Sequence, residues 1–324
     1  MTAPVSGSPA PGNGWWQQEF DPLGPTVRQA TLPGGRSVHF IDEGRPGWPV
    51  VVFFGGAGTT VRAFGLLEFA RTLREQLRIR VVSVERNGLG QTAFDPGLGF
   101  REYAAHVWEL LDQLDIYDAS LVAISGGGPY AAHVAHARPD RVRSLHLACA
   151  FSERLDDDSP LNAASVAADP VGWWRFPADS AVHRIPGFVD ATIEEATRAV
   201  FARGRDQAPE GLAQAFALYR DSPLPDLGAV RSPAFLYWGE ADRVVTTAHL
   251  ERWQAALPMV NAVRLYPGEG HDVQYRHWDQ ILTDLAFLGE RVVVTVDGKT
   301  LLLDPEQAAQ ALTAGAVSGL CAWG

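Results

Sequence analysis

The sequence predicts an α/β protein with a mostly parallel central sheet and helices on both of its faces. Three observations carry that expectation. From Pro49 onward, short apolar runs alternate with helical patterns, the order of a sheet built from crossover units. The runs at Val50–Phe54 and Ala234–Trp238 are apolar throughout, as strands covered on both faces must be. The chain has 324 residues, 46% of them hydrophobic, enough for one large core and an inserted subdomain.

The elements follow in order. Residues 1–25 read as a flexible N-terminal tail, because Met1 to Gly14 are rich in Pro, Gly, Ser and Ala. Thr26 to Leu32 and Ser37 to Asp42 flank Pro33-Gly34-Gly35 and predict a hairpin. Strands are expected near 50–54, 80–85, 120–124, 143–149, 234–238 and 262–266. Helices are expected near 61–76, 100–114, 127–137, 247–256 and 277–288. The helix at 100–114 is well marked, with Tyr103, Val107, Leu110, Leu111 and Leu114 on one face. The core thus comprises 26–150 and 232–289.

The alternation breaks at 151–231, which opens with Asp156-Asp157-Asp158-Ser159-Pro160 and carries helical patterns near 191–203 and 209–221. This segment reads as a mainly helical cap insertion. Trp173, Trp174, Phe176 and Phe188, with Ile185 and Pro186, are candidates to line an apolar substrate pocket or to form the cap's own small core. Residues 290–324 form a C-terminal extension. Arg291 to Val296 and Lys299 to Leu303 flank Asp297-Gly298, a hairpin signal, and Asp304-Pro305-Glu306 is a helix start. An apolar hairpin needs packing, on the core or as a homodimer contact.

The stretch Leu121-Val122-Ala123-Ile124-Ser125-Gly126-Gly127-Gly128 is the most informative in the chain. An apolar strand ends at a serine, three glycines follow, and a helical pattern begins. Small residues on either side let strand and helix approach closely, holding the serine hydroxyl above the strand edge. This is the nucleophile elbow, with Ala123 in place of the usual first glycine. Upstream, Gly55-Gly56-Ala57-Gly58 follows the strand at 50–54; Gly56 and Gly126 are the candidate backbone donors of an oxyanion hole. Downstream, Asp242 and His271 each stand just beyond a predicted strand. Taken alone, Asp242 would more often be a turn residue, and His271 a surface histidine. The chain order Ser125, Asp242, His271 is the one the elbow scaffold uses, which makes them the candidate nucleophile, acid and base.

On these motifs the chain resembles the α/β-hydrolase superfamily from about Val27 to Leu288. The segment Glu85-Arg86-Asn87-Gly88-Leu89-Gly90 is similar to a loop that usually reads Asp-Arg-x-Gly-x-Gly, with Glu85 replacing aspartate. Phe54 stands where many members carry histidine. The resemblance implies the α/β-hydrolase fold and a serine hydrolase, most simply a carboxylic esterase working through an acyl-enzyme on Ser125. Amide, lactone or thioester hydrolysis, acyl transfer, carbon–carbon bond hydrolysis and hydroxynitrile cleavage use the same triad. A ligand-binding protein that keeps the fold without catalysis is the alternative of another class. Ser125 argues against members that need an aspartate nucleophile. Glu153 is the replacement acid should Asp242 not serve.

A net charge of −11 offers no electrostatic footprint for nucleic acid or an anionic membrane, so a small-molecule substrate is the expected partner. No stretch is long and apolar enough to span a bilayer, and Met1 to Gly14 lack the pattern of a secretory signal. Two cysteines, Cys149 and Cys321, imply neither a disulfide framework nor a cysteine-based metal site, and Cys149 reads as a buried thiol. The expectation is a cytoplasmic protein that needs no metal and no cofactor.

Overall fold

A computed structural model describes residues 16–19, 25–155 and 209–319. Nine strands form one sheet: β1 (Trp16–Glu19), β2 (Val27–Thr31), β3 (Ser37–Glu43), β4 (Val50–Phe54), β5 (Arg80–Val84), β6 (Ala119–Ile124), β7 (Val142–Ala148), β8 (Ala234–Gly239) and β9 (Val260–Tyr266). Their order is β1-β2-β3-β5-β4-β6-β7-β8-β9. The first three run antiparallel to their neighbours, and every pairing from β5 to β9 is parallel.

The central strands are buried along their whole length because their two faces serve two different cores. Val52 and Phe54 of β4 join Leu121, Ala123, Leu147, Leu236 and Trp238 on one side. Val51 and Phe53 join Val122, Ile124, Ala148, Phe235 and Tyr237 on the other. The period of two in a strand makes that division automatic. The helices cover these faces: α1 (Arg71–Gln76), α2 (Phe100–Gln113), α3 (Gly128–Ala137), α4 (Pro209–Asp221), α5 (Thr247–Ala256), α6 (Val273–Arg276) and α7 (Trp278–Phe287). On α2 the predicted stripe is buried, at Tyr103, Val107, Leu110 and Leu111. Glu102 closes its first turn by accepting from the Gly99 N–H at 3.0 Å.

Three differences from the sequence expectation have physical reasons. Within the stretch read as a tail, Trp16–Glu19 pair with β2 in the register Trp16↔Ala30. The pairing groups come from the free edge of β2, which no local pattern reveals. The helix expected at 61–76 is a 3₁₀ helix over Val61–Ala70 followed by α1. Its buried residues include Val61, Phe64, Leu67 and Ala70, a spacing of three that matches three residues per turn. The helix expected at 277–288 is α7, preceded by the short α6.

Third, the C-terminal hairpin is part of a three-stranded sheet. β10 (Val292–Val296) lies between β11 (Lys299–Leu303) and β12 (Val317–Ser318), with α8 (Pro305–Thr313) alongside. Asp304 caps α8, accepting from the Gln307 N–H at 2.8 Å. Val293 and Val294 are fully buried on the same subunit, against α7 and α8. Gln280 of α7 stitches the sheet to the core: its Oε1 accepts from the Val293 N–H at 3.0 Å and its amide donates to the Arg291 carbonyl at 3.1 Å. Truncation after Gly289 is therefore expected to destabilise the core by about 3 kcal/mol or more, the burial worth of two valines. Chemical denaturation of the truncated chain checks this; an unchanged midpoint would make the extension a mere appendage. Homodimerisation through the extension remains a proposal, read from oligomeric state in the same samples.

Among the described residues, no helix is long and apolar enough to cross a membrane. The cap helix expected near 191–203, and the candidates Trp173, Trp174, Phe176 and Phe188, lie outside the described residues. The one expected near 209–221 is α4.

Candidate active site

The sheet brings three strand ends side by side. Ser125 follows β6, Asp242 follows β8, and His271 follows β9. Ser125 has φ +49°, a left-handed conformation that a non-glycine residue adopts only under constraint. Close packing supplies the constraint. A Cβ on Gly127 would lie 2.2 Å from the Phe54 carbonyl oxygen, so only glycine lets the elbow sit this near β4. The Ser125 carbonyl is itself tied down, accepting from the Phe151 N–H at 2.8 Å.

The three side chains form one relay. Ser125 Oγ lies 3.0 Å from His271 Nε2. His271 Nδ1 lies 2.8 Å from Asp242 Oδ2. The other carboxylate oxygen, Oδ1, accepts from the Val244 and Val245 N–H groups at 2.8 and 3.0 Å. Burial alone would raise the Asp242 pKa. The His271 ring and the two backbone donors outweigh it and hold the carboxyl below its usual range, so it stays charged at neutral pH. Backbone bonds fix the acid loop to the histidine loop: Glu240 N–H donates to the Tyr266 carbonyl at 3.1 Å, and Ala241 N–H to the Glu269 carbonyl at 2.9 Å. The Glu269 carboxylate is bonded to His277 Nε2 at 2.9 Å, which anchors the histidine loop from its far side.

Glu153, the alternative acid, is engaged elsewhere. It pairs with Arg252 and accepts from the Leu224 N–H at 2.8 Å. Gly56 and Gly126 follow the adjacent strands β4 and β6, which pair at Phe54↔Ala123. Both glycines are buried.

Several contributors left little trace in the sequence. The buried Arg86 guanidinium donates from Nη2 to the Gly56 carbonyl at 2.6 Å and the Thr59 carbonyl at 2.7 Å, bracing the glycine loop. Cys149 has φ +43° and is buried, as expected of it. Its sulfur, an Asp242 oxygen and a His271 nitrogen lie within 4.8 Å of one another, close enough to hold a metal ion. Burial first, then the Asp242 charge, raise the thiol pKa well above its ordinary value. A protonated thiol is a poor metal ligand. Tyr219 of α4 reaches the elbow, its Oη 2.8 Å from where a Cβ on Gly126 would stand.

Glu85 shows what its replacement of aspartate entails. The carboxyl is buried, and desolvation pushes its pKa up to about 7 against the opposing bonds from Val61 N–H and Arg86 N–H. A carboxyl with a raised folded pKa favours folding while protonated. Its contribution is full below its ordinary value of 4.5 and is lost as pH rises through about 7. Glu85→Gln should therefore raise stability above pH 7 by up to about 3 kcal/mol and change little near pH 4. Melting temperatures of both forms across that range check this; an equal shift at both ends would contradict it.

Comparison with known proteins identifies the family and the fold. An alpha/beta hydrolase family model matches residues 51–284. A protein described as uncharacterized hydrolase YcgS, from Bacillus subtilis, is 30% identical over 127 residues, covering 39% of this chain and 42% of that relative. An alpha/beta hydrolase fold protein from Nakamurella multipartita superposes with a TM-score of 0.62 at 23% identity, over 81% of this chain and 98% of that one. An enol-lactonase from Burkholderia xenovorans does so with a TM-score of 0.63 at 20% identity, over 80% and 98%. With nearly three quarters of its length matched by the family model and the elbow, acid and histidine each at a strand end, the chain belongs to the alpha/beta hydrolase family.

Proposed function

We propose that the protein is a serine hydrolase that cleaves a carboxylic ester of a small molecule through an acyl-enzyme on Ser125. The observation that supports this most is the unbroken hydrogen-bonded relay from Asp242 through His271 to Ser125. In this reading His271 Nε2 takes the Ser125 proton as Oγ attacks the substrate carbonyl. Asp242 holds the proton on His271 Nδ1 and stabilises the imidazolium. The Gly56 and Gly126 N–H groups receive the oxyanion, worth roughly 3–4 kcal/mol per donor. His271 then protonates the leaving alcohol, and water releases the acyl group by the same steps. None of these steps calls for a metal or a cofactor. The reading also places the protein in the cytoplasm, in keeping with Cys149 as a free buried thiol.

Two assays together test it. p-Nitrophenyl esters of increasing acyl length should be hydrolysed, and a fluorophosphonate should label the protein on Ser125. A protein that is folded, unlabelled and inert to every ester would favour the ligand-binding alternative.

A further inference from the structure

α4 brings Tyr219 to the elbow. Its ring is buried, 2% exposed, among aromatic neighbours. The Tyr130 ring stands edge-on to it at 6.2 Å, and the Phe151 ring lies at 5.6 Å. Its hydroxyl is buried as well and turns toward the Arg86 guanidinium and the Tyr130 hydroxyl.

The location gives the hydroxyl a use. A Cβ on Gly126 would lie 2.8 Å from Tyr219 Oη and 2.9 Å from the Ala57 backbone nitrogen. Tyr219 Oη, the glycine loop after β4 and the residue after the nucleophile therefore converge on one point. Glycine at 126 leaves the space that the hydroxyl fills; any side chain there would displace it. Arg86 lies close by, with its cation 5.2 Å from the Tyr130 ring centroid. Burial raises the Tyr219 pKa and keeps the phenol protonated, while the nearby cation polarises its O–H. A protonated phenol held beside the elbow and the Ala57 backbone nitrogen, with a cation behind it, has the chemistry of an oxyanion ligand.

We propose that Tyr219 is a further catalytic residue, donating its O–H to the substrate carbonyl oxygen as that oxygen becomes the oxyanion, beside Gly56 and Gly126. The proposal rests on the reading of Ser125 as nucleophile. In the attack the Ser125 Oγ–carbon bond forms, the carbonyl π pair moves onto oxygen, and the Ser125 proton passes to His271. Tyr219 keeps its proton and gives only a hydrogen bond. When the intermediate collapses, the carbon–leaving-oxygen bond breaks and His271 returns the proton to the leaving oxygen. Both acylation and deacylation pass through an oxyanion, so the donor acts on whichever step limits turnover.

The test is Tyr219→Phe in the full chain, which removes one oxygen and retains the ring packing. With p-nitrophenyl butyrate, kcat should fall about 100-fold with KM within a few-fold. Inhibition by a trifluoromethyl ketone, whose adduct with Ser125 carries an oxyanion, should weaken by a similar factor. The melting temperature should change little, since the ring packing is retained. Wild-type kcat and unchanged ketone inhibition would overturn the proposal, as would a rise in KM alone, which marks a pocket wall. A lower melting temperature with unchanged kcat would overturn it too, and mark a packing role. Wild-type protein that neither turns over esters nor takes a fluorophosphonate label would overturn the serine reading itself.

Discussion

Ser125→Ala is expected to reduce ester turnover by about 10⁴- to 10⁶-fold while the fold stays intact. The loss is that large because the nucleophile, base and acid act as a unit; without Oγ the relay ends in a methyl group. The fold survives because alanine is no bulkier than serine at φ +49°, and the backbone there is held by the Phe151 N–H and the close approach of β4. Steady-state kinetics with circular dichroism beside them check both halves. Retention of near wild-type turnover would remove Ser125 from the mechanism.

His271→Ala should cost about as much, since no other base reaches Ser125 Oγ among the described residues. Asp242→Asn is more instructive. Asp242 Oδ1 already accepts from Val244 and Val245, so the asparagine oxygen must stay there and its NH₂ must face His271 Nδ1. That forces the imidazole proton onto Nε2, which then meets Ser125 as a donor and not as a base. The expected loss is about 10⁴-fold in kcat at neutral pH. A silent Asp242→Asn would show that the relay is not how His271 is oriented.

Much of the fold was legible because its signals are local. Strands β4, β6 and β8 are apolar throughout because the sheet is covered on both sides, and each announces itself within a few residues. The elbow is equally local: one serine, its small neighbours and the helix after it. The acid and histidine became legible through chain order, since a turn aspartate and a loop histidine carry no signal alone. What escaped was non-local. β1 and β12 pair with edges supplied by other parts of the chain. Tyr219 lies far from Ser125 in sequence, and nothing in its own helix distinguishes it from a core tyrosine. The role of Arg86 appears only when the loops after β4 and β5 are seen together. The 3₁₀ helix at Val61–Ala70 was readable in principle, because its buried row recurs every third residue.

The central claim is a covalent acyl intermediate on one serine. The most direct test is to mix the full chain with excess p-nitrophenyl ester, quench in acid within the first turnover, and map peptides by mass spectrometry. The account predicts the acyl mass on the peptide containing Ser125, absent from Ser125→Ala. Rapid p-nitrophenol release with no acyl mass on Ser125, or with the mass on another residue, would contradict it.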